Sequence, residues 1–187
     1  LAQGVRESAV HVLRPGLDMA RVAHAARQEL RAQWKVEDPQ FKVVALLTDP
    51  PHGGDAFDAT MAAALANPDP KSSDWQACIL VHPAARSRRR AARLIAQVDR
   101  SHRFLVDERL DRPWLVLPGC DVALAQGTGA GGLSLLWAMC ANVPIVGEAT
   151  YAISEVVEDR HSALLARPGA VKYLAHRLRR LLCEPQL

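Results

Sequence analysis

Several features that would announce a common function are missing from this sequence. No apolar run reaches the roughly 18 residues that a membrane-spanning helix needs, and no secretory signal pattern is visible. A cytoplasmic location is the expectation. Cysteine is scarce: Cys78, Cys120, Cys140 and Cys183 are widely spaced and form no Cys-x-x-Cys pair. They read as reduced thiols in a cytosolic core. There is no nucleophilic serine elbow and no clustered metal-ligand set, so no metal is expected. Repeats and low-complexity segments are lacking, and the helical stretches are too short and interrupted for a coiled coil. Charge of one sign is also scarce. Lys and Arg number 23 against 20 Asp and Glu, a formal net charge of +3. That suits an anionic ligand without demanding nucleic acid.

What is present is the composition of an ordinary globular domain. The 187 residues are 49% hydrophobic and 23% charged, which is enough for one domain with a sizeable core. The chain opens on Leu1 rather than Met, which reads as a piece excised from a longer protein. Apolar segments alternate between two periodicities. Val10–Leu13 is a short strand, followed by a Pro15-Gly16 turn. Val22, Ala26, Leu30 and Trp34 recur at helical spacing over 19–35, with Asp18 placed to cap. Phe41–Leu47 is a near-continuous apolar strand, as expected when both sheet faces are covered. A helix capped by Asp55 carries Phe57, Met61 and Leu65. Strands follow at 78–81 and 103–106, with a helix over 86–100 between them and a short helix or turn over 109–118. Leu174, Leu178 and Leu181 line the inner face of a closing helix over 171–182. This alternation predicts an α/β, Rossmann-like parallel sheet with helices on both faces. Ligands of such sheets sit beyond the carboxyl ends of the strands, at the switch point.

The densest chemical signal is Gly127-Thr128-Gly129-Ala130-Gly131-Gly132, between an apolar strand and an apolar helix. Glycines opening a helix leave backbone N–H groups free beside the positive helix end, which suits a phosphate. Thr128 and Ser134 could add hydroxyl donors. A tight strand-to-helix turn would also need glycine, but four glycines exceed that need. A dinucleotide fold of the oxidoreductase type is disfavoured, because its glycine turn follows the first strand and here the loop follows a late one.

The run from Asp121 to Gly169 resembles, without a gap, the C-terminal donor-binding domain of retaining group-1 glycosyltransferases of the GT-B fold. The resemblance rests on Asp121-Val122, Gly132-Leu133, Ala138-Met139, Val143-Pro144-Ile145-Val146, Glu155-Val156-Val157-Glu158-Asp159, Leu164-Leu165 and Pro168-Gly169. It implies that residues 1–18 are the interdomain linker and first strand and that 19–187 bind the nucleotide-sugar donor. The acceptor-binding N-terminal domain is then absent from this chain, and the piece alone should not turn over. The implied reaction is glycosyl transfer from a nucleotide-diphosphate sugar, with no covalently bound cofactor and no metal. By family position, Gly129, Ala130, Gly131, Gly132 and Leu133 offer backbone groups to the diphosphate, with Thr128 and Ser134 alongside. Leu105 and Val106 face the nucleotide base.

This sequence departs from that family at the residues that grip the donor. Gly129 and Trp137 stand where the family has two glutamates, one on the sugar and one on the ribose. The family's Gly-Arg-x-x-x-x-Lys-Gly loop is Leu47–Gly54 here, with Thr48 at the arginine position, Gly53 at the lysine position and Asp49 adding a like charge. Stabilisation of the leaving diphosphate is normally a large part of such catalysis. His52, His82 at a strand's carboxyl end and Arg86 could supply replacement contacts, and Glu148 could replace a carboxylate. Tyr151-Ala152 stands where the family has a glycine pair and would crowd the sugar pocket. Glu155 reads as the acid that opens the next helix. The basic run Arg86–Arg93 reads first as a solvated helix face and second as a peripheral contact with an anionic membrane. A nucleic-acid contact ranks last, for want of an aromatic platform. The reading is a glycosyltransferase donor domain. Its alternative is a catalytically degenerate domain that serves as a scaffold or as a sugar- or nucleotide-binding module.

Overall fold

The computed structural model describes residues 16–18, 27–47, 76–81, 89, 93, 103–125 and 132–183. The expected strand at 10–13, the helix capped by Asp55, most of 86–100 and the first part of 19–35 lie outside those residues. The strands are β1 (Phe41–Leu46), β2 (Gln76–Val81), β3 (Arg103–Val106), β4 (Val122–Ala125), β5 (Ile145–Glu148) and β6 (Leu164–Ala166). The described helices are α1 (Arg27–Gln33), α2 (Gly132–Cys140), α3 (Tyr151–Ser154) and α4 (Val171–Cys183). Between β3 and β4 the chain makes three short 3-10 turns, at Glu108–Asp111, Pro113–Leu115 and Leu117–Gly119, where the spacing predicts one short helix or turn.

The strands form one six-stranded sheet in the order β3-β2-β1-β4-β5-β6, and every pairing is parallel. This is the expected α/β Rossmann-like sheet. Alternate side chains divide between two faces. Val43, Ala45, Ala123, Ala125, Ile145 and Leu165 join one core with Leu135, Trp137 and Ala138 of α2 and Ile153 of α3. Val44, Val122, Leu124, Val146 and Ala166 join a second core under α4. Burial on both sides explains why β1 and β4 carry almost no polar residue. In α4 the buried residues are Leu174, Ala175, Arg177, Leu178 and Leu182. Leu182 is buried in the same core, and Leu181 packs against it half-buried.

Local chemistry sets the helix ends. Asn142 adopts a left-handed φ of 54°, and the Val143 N–H reaches back to the Ala138 carbonyl at 2.9 Å. Asparagine tolerates that conformation, so it ends α2 and turns the chain into β5. Thr150 caps α3, accepting the Ile153 N–H on its side chain. Glu155 was expected to open this helix; it stands instead at its C-cap. The hydroxyl five residues upstream outcompetes the acid because Thr150 has the extended backbone a cap requires.

Two buried arginines tie helices to the sheet. Asp121, just before β4, accepts the Val43 N–H on Oδ2 at 2.7 Å and Arg31 Nη1 at 3.0 Å. Arg27 donates to Oδ1 of the same carboxylate. Arg31 is buried and also donates to the Val36 and Phe41 carbonyls, at 3.1 and 2.6 Å. One carboxylate thus joins α1 to β1 and β4. At the other side of the sheet, buried Arg177 of α4 donates to Asp159 and, at 2.8 Å, to the Tyr173 hydroxyl. Asp159 also accepts the Leu165 N–H at 2.8 Å, which fixes the approach to β6. Burial pushes the Asp159 carboxyl upward, but the Arg177 bond and the Leu165 N–H outweigh it and leave it below the usual range.

Candidate functional site

The sheet order reverses between β1 and β4. From β1 the chain steps to β2 and β3 on one side, then returns to β4 on the other. The carboxyl ends of β1 and β4 therefore lie side by side, with Leu46 opposite Leu124 and the Leu47 N–H on the Leu124 carbonyl at 3.1 Å. The segments leaving these two ends are 48–54 and the glycine run 126–131. In an open parallel sheet this crevice is where ligands bind. Thr48, His82, Thr128, Gly129, Ala130 and Gly131 lie outside the described residues, as does His52.

Gly132, Leu133 and Ser134 form the first turn of α2, which starts at this edge and runs for nine residues. A Cβ on Gly132 would stand 2.9 Å from Val156 Cγ2, so the start of α2 and the end of the α3 segment touch. No acidic residue occupies the first turn of α2, so nothing there offsets the positive helix end. Gly147 in β5 faces Ala125: a Cβ there would stand 2.7 Å from the Ala125 carbonyl oxygen. Glycine at this position lets β5 pass close to the end of β4, the residue from which the glycine run departs.

Leu105 and Val106 close β3, with Val106 opposite Val81. They share the carboxyl edge with α2 but lie three strands from β4, roughly 14 Å at ordinary strand spacing. Beyond them Asp107 is buried, accepting Trp34 Nε1 at 2.9 Å and Arg109 through Nε and Nη2 at 2.9 and 2.7 Å. Burial alone would raise its pKa, but the bonds from Arg109 and Trp34 hold it below the usual carboxylate range. Sequence reasoning passed over Asp107. The signal available was the Asp107-x-Arg109 spacing at a strand's end.

Two positions stand where the resemblance has glutamates, and the described residues include one of them. Gly129 lies outside the described residues. Trp137 is 5% exposed and packs on Trp114, ring centroids 5.0 Å apart and tilted by 44°. Its Nε1 is buried with no hydrogen-bond partner among the described residues. An aromatic pair fills the place at which the family resemblance expects a ribose carboxylate. An unmet buried N–H costs about 1–3 kcal/mol. Trp137→Phe, which removes it at small loss of volume, is therefore expected to leave thermal stability unchanged or slightly higher, as read by calorimetric Tm.

Glu148, the carboxylate considered as a replacement, ends β5 and is 7% exposed. Its Oε1 accepts the Gly169 N–H at 3.0 Å. Gly169 has φ +78°, so this bond secures a left-handed turn between β6 and α4. Tyr151, where the family has glycine, is 83% exposed on the first residue of α3. Hydrogen bonding to Glu155 and its charge raise the Tyr151 pKa. None of the four cysteines is in a disulfide. Burial, aided by the Asp121 charge, pushes the Cys120 thiol far up, which makes it inert as a nucleophile. Among the described residues no group of three or more His, Cys, Asp or Glu could hold a metal. No helix among them is long and apolar enough to cross a membrane.

No family model matches the sequence, and no curated protein matches it either. Solved structures do resemble it. HepE from Anabaena, in complex with UDP-glucose, superposes with TM-score 0.72 at 20% identity over 98% of this chain. WaaG, a glycosyltransferase involved in lipopolysaccharide biosynthesis, gives 0.67 at 18% identity over 94%. Sucrose-phosphate synthase from Thermosynechococcus elongatus gives 0.65 at 18% over 91%. The chain spans about half the length of these proteins: 50%, 48% and 42%. The fold is that of the C-terminal, Rossmann-like domain of GT-B glycosyltransferases.

Proposed function

We propose that this chain is the nucleotide-sugar-binding domain of a glycosyltransferase. The observation that carries the reading is the reversal of strand order between β1 and β4, from which the glycine run 126–131 leads into α2. Backbone N–H groups from Gly129 to Leu133, with the hydroxyls of Thr128 and Ser134, would take the diphosphate. Leu105 and Val106 would face the base, so that the nucleotide lies along the edge. Thr48 and His82 would contribute from the loops after β1 and β2. Solved structures of the same fold hold UDP-glucose, UDP with glucose, and UDP, which makes a uridine nucleotide the first donor to test.

In this reading residues 1–18 link to an N-terminal acceptor domain and 19–187 hold the donor. The reaction is retaining glycosyl transfer without a metal in the cytoplasm, and the piece alone does not turn over. One observation favours a second reading, a degenerate module that binds nucleotide or sugar without transfer. Trp137 is buried against Trp114 and can supply no carboxylate to a ribose. Titration of UDP-glucose into the two-domain protein, followed by release of UDP over hours, separates the two. Saturable heat with UDP release supports the transferase. Saturable heat without release under any acceptor supports the module.

A further inference from the structure

Two large apolar side chains stand exposed at the carboxyl edge of the sheet. Leu133 is in the first turn of α2 and Tyr151 is the first residue of α3. A lone exposed apolar residue needs no explanation. Here two sit at the starts of neighbouring helices. α2 follows β4, α3 follows β5, and those strands pair through Ala125 and Gly147. The Tyr151 hydroxyl donates to Glu155 one turn on, an i, i+4 pair that holds the ring in place. Both residues are exposed, so a ring face and a carboxylate with spare acceptor capacity meet solvent together. Charge in this stretch is of one sign. From Pro113 to Asp159 there is no Lys, Arg or His, against Asp121, Glu148, Glu155, Glu158 and Asp159. Arg167 follows β6, which lies on the side of β5 away from β4 and α2.

We propose that Tyr151 and Glu155 bind the sugar of the donor and select a neutral sugar over a uronic acid. The proposal rests on the placing of base and diphosphate given above. With the base at β3 and the diphosphate at the start of α2, a ligand lying along the edge has crossed from β3 to β4. Its far end then continues to the next strand, β5, and to the residues that follow it. That step is about 4.8 Å, close to the width of one sugar ring. A pyranose carries an apolar face of C–H groups, which an aromatic ring covers, and hydroxyls on its rim, which a carboxylate accepts. A uronic acid would instead bring its own carboxylate to Glu155, a like-charge contact that no cation of this stretch offsets. A nucleobase would also stack on a tyrosine, but the base end of this ligand lies at β3.

The test is calorimetric titration of the full-length protein with UDP, UDP-glucose and UDP-glucuronic acid. The parent is expected to bind UDP-glucose about fivefold more tightly than UDP-glucuronic acid. Tyr151→Ala should weaken UDP-glucose by about tenfold and leave UDP unchanged. Its Tm should match the parent's, since the side chain is exposed. Tyr151→Phe keeps the ring and should retain most of the affinity. Glu155→Gln should close the gap between the two sugars. A Tyr151→Ala protein that binds UDP-glucose as the parent does, or that loses UDP and UDP-glucose equally, would overturn the proposal and leave the nucleotide site standing. So would tighter binding of UDP-glucuronic acid than of UDP-glucose by the parent. No binding of UDP to the parent would overturn the nucleotide site itself, and the proposal with it.

Discussion

Asp121→Ala is expected to lower stability by about 3–5 kcal/mol, because it strips the partner from a buried charge. For a chain of this length that is a Tm drop of about 10 °C. The carboxylate takes Arg31 and the Val43 N–H on one oxygen and Arg27 on the other. Arg31 side-chain exposure is 9%, so its guanidinium cannot recover the lost bond from water. It keeps carbonyl partners at Val36, Phe41 and Gly119, which sets the loss nearer the lower figure. Asp121→Asn keeps an acceptor for Val43 but not the charge, and should fall between. Calorimetric unfolding of the three proteins measures this order. An alanine variant as stable as the parent would mean that the network is ornamental.

Gly147→Ala is the second large effect. The new Cβ would stand 2.7 Å from the Ala125 carbonyl oxygen and 3.3 Å from Ala125 Cβ. Backbone cannot rotate away as a flexible side chain can, so β4 and β5 must separate locally. Overpacking of this kind costs about 1–3 kcal/mol. The greater consequence is positional. Ala125 is the last residue of β4, and the glycine run starts at its end. The variant should lose nucleotide affinity by more than its stability loss alone would suggest, at temperatures where it remains folded. Equal affinity in variant and parent would separate the glycine run from the geometry of β5.

Much of the sheet was legible because its signals are local. Phe41–Leu47 and the 103–106 strand announce themselves by mostly apolar runs, and both exist with nearly those bounds. The closing helix is equally clear from Leu174 and Leu178. Long-range pairings were not legible. Asp121 was visible only as part of a resemblance, since Arg27 and Arg31 lie 94 and 90 residues from it in sequence. Glu155 misled because an acid near a helix looks like an opener, whereas the capping hydroxyl of Thr150 decides where the helix starts. The glycine run could be found from composition, and chain connectivity sets it at the switch point. Trp137 shows the limit of reading a site from aligned positions. The sequence tells that a carboxylate is missing, but only the fold tells that an indole paired with Trp114 occupies the space.

The glycine run and the start of α2 are expected to bind a nucleotide diphosphate. Calorimetric titration of UDP-glucose into the full-length protein tests it most directly, alongside a Gly131→Val variant that blocks close backbone approach. Saturable binding to the parent and its loss in the variant are expected, with the Tm of the two alike. Absence of binding by any common nucleotide sugar, or binding that Gly131→Val leaves intact, would contradict it.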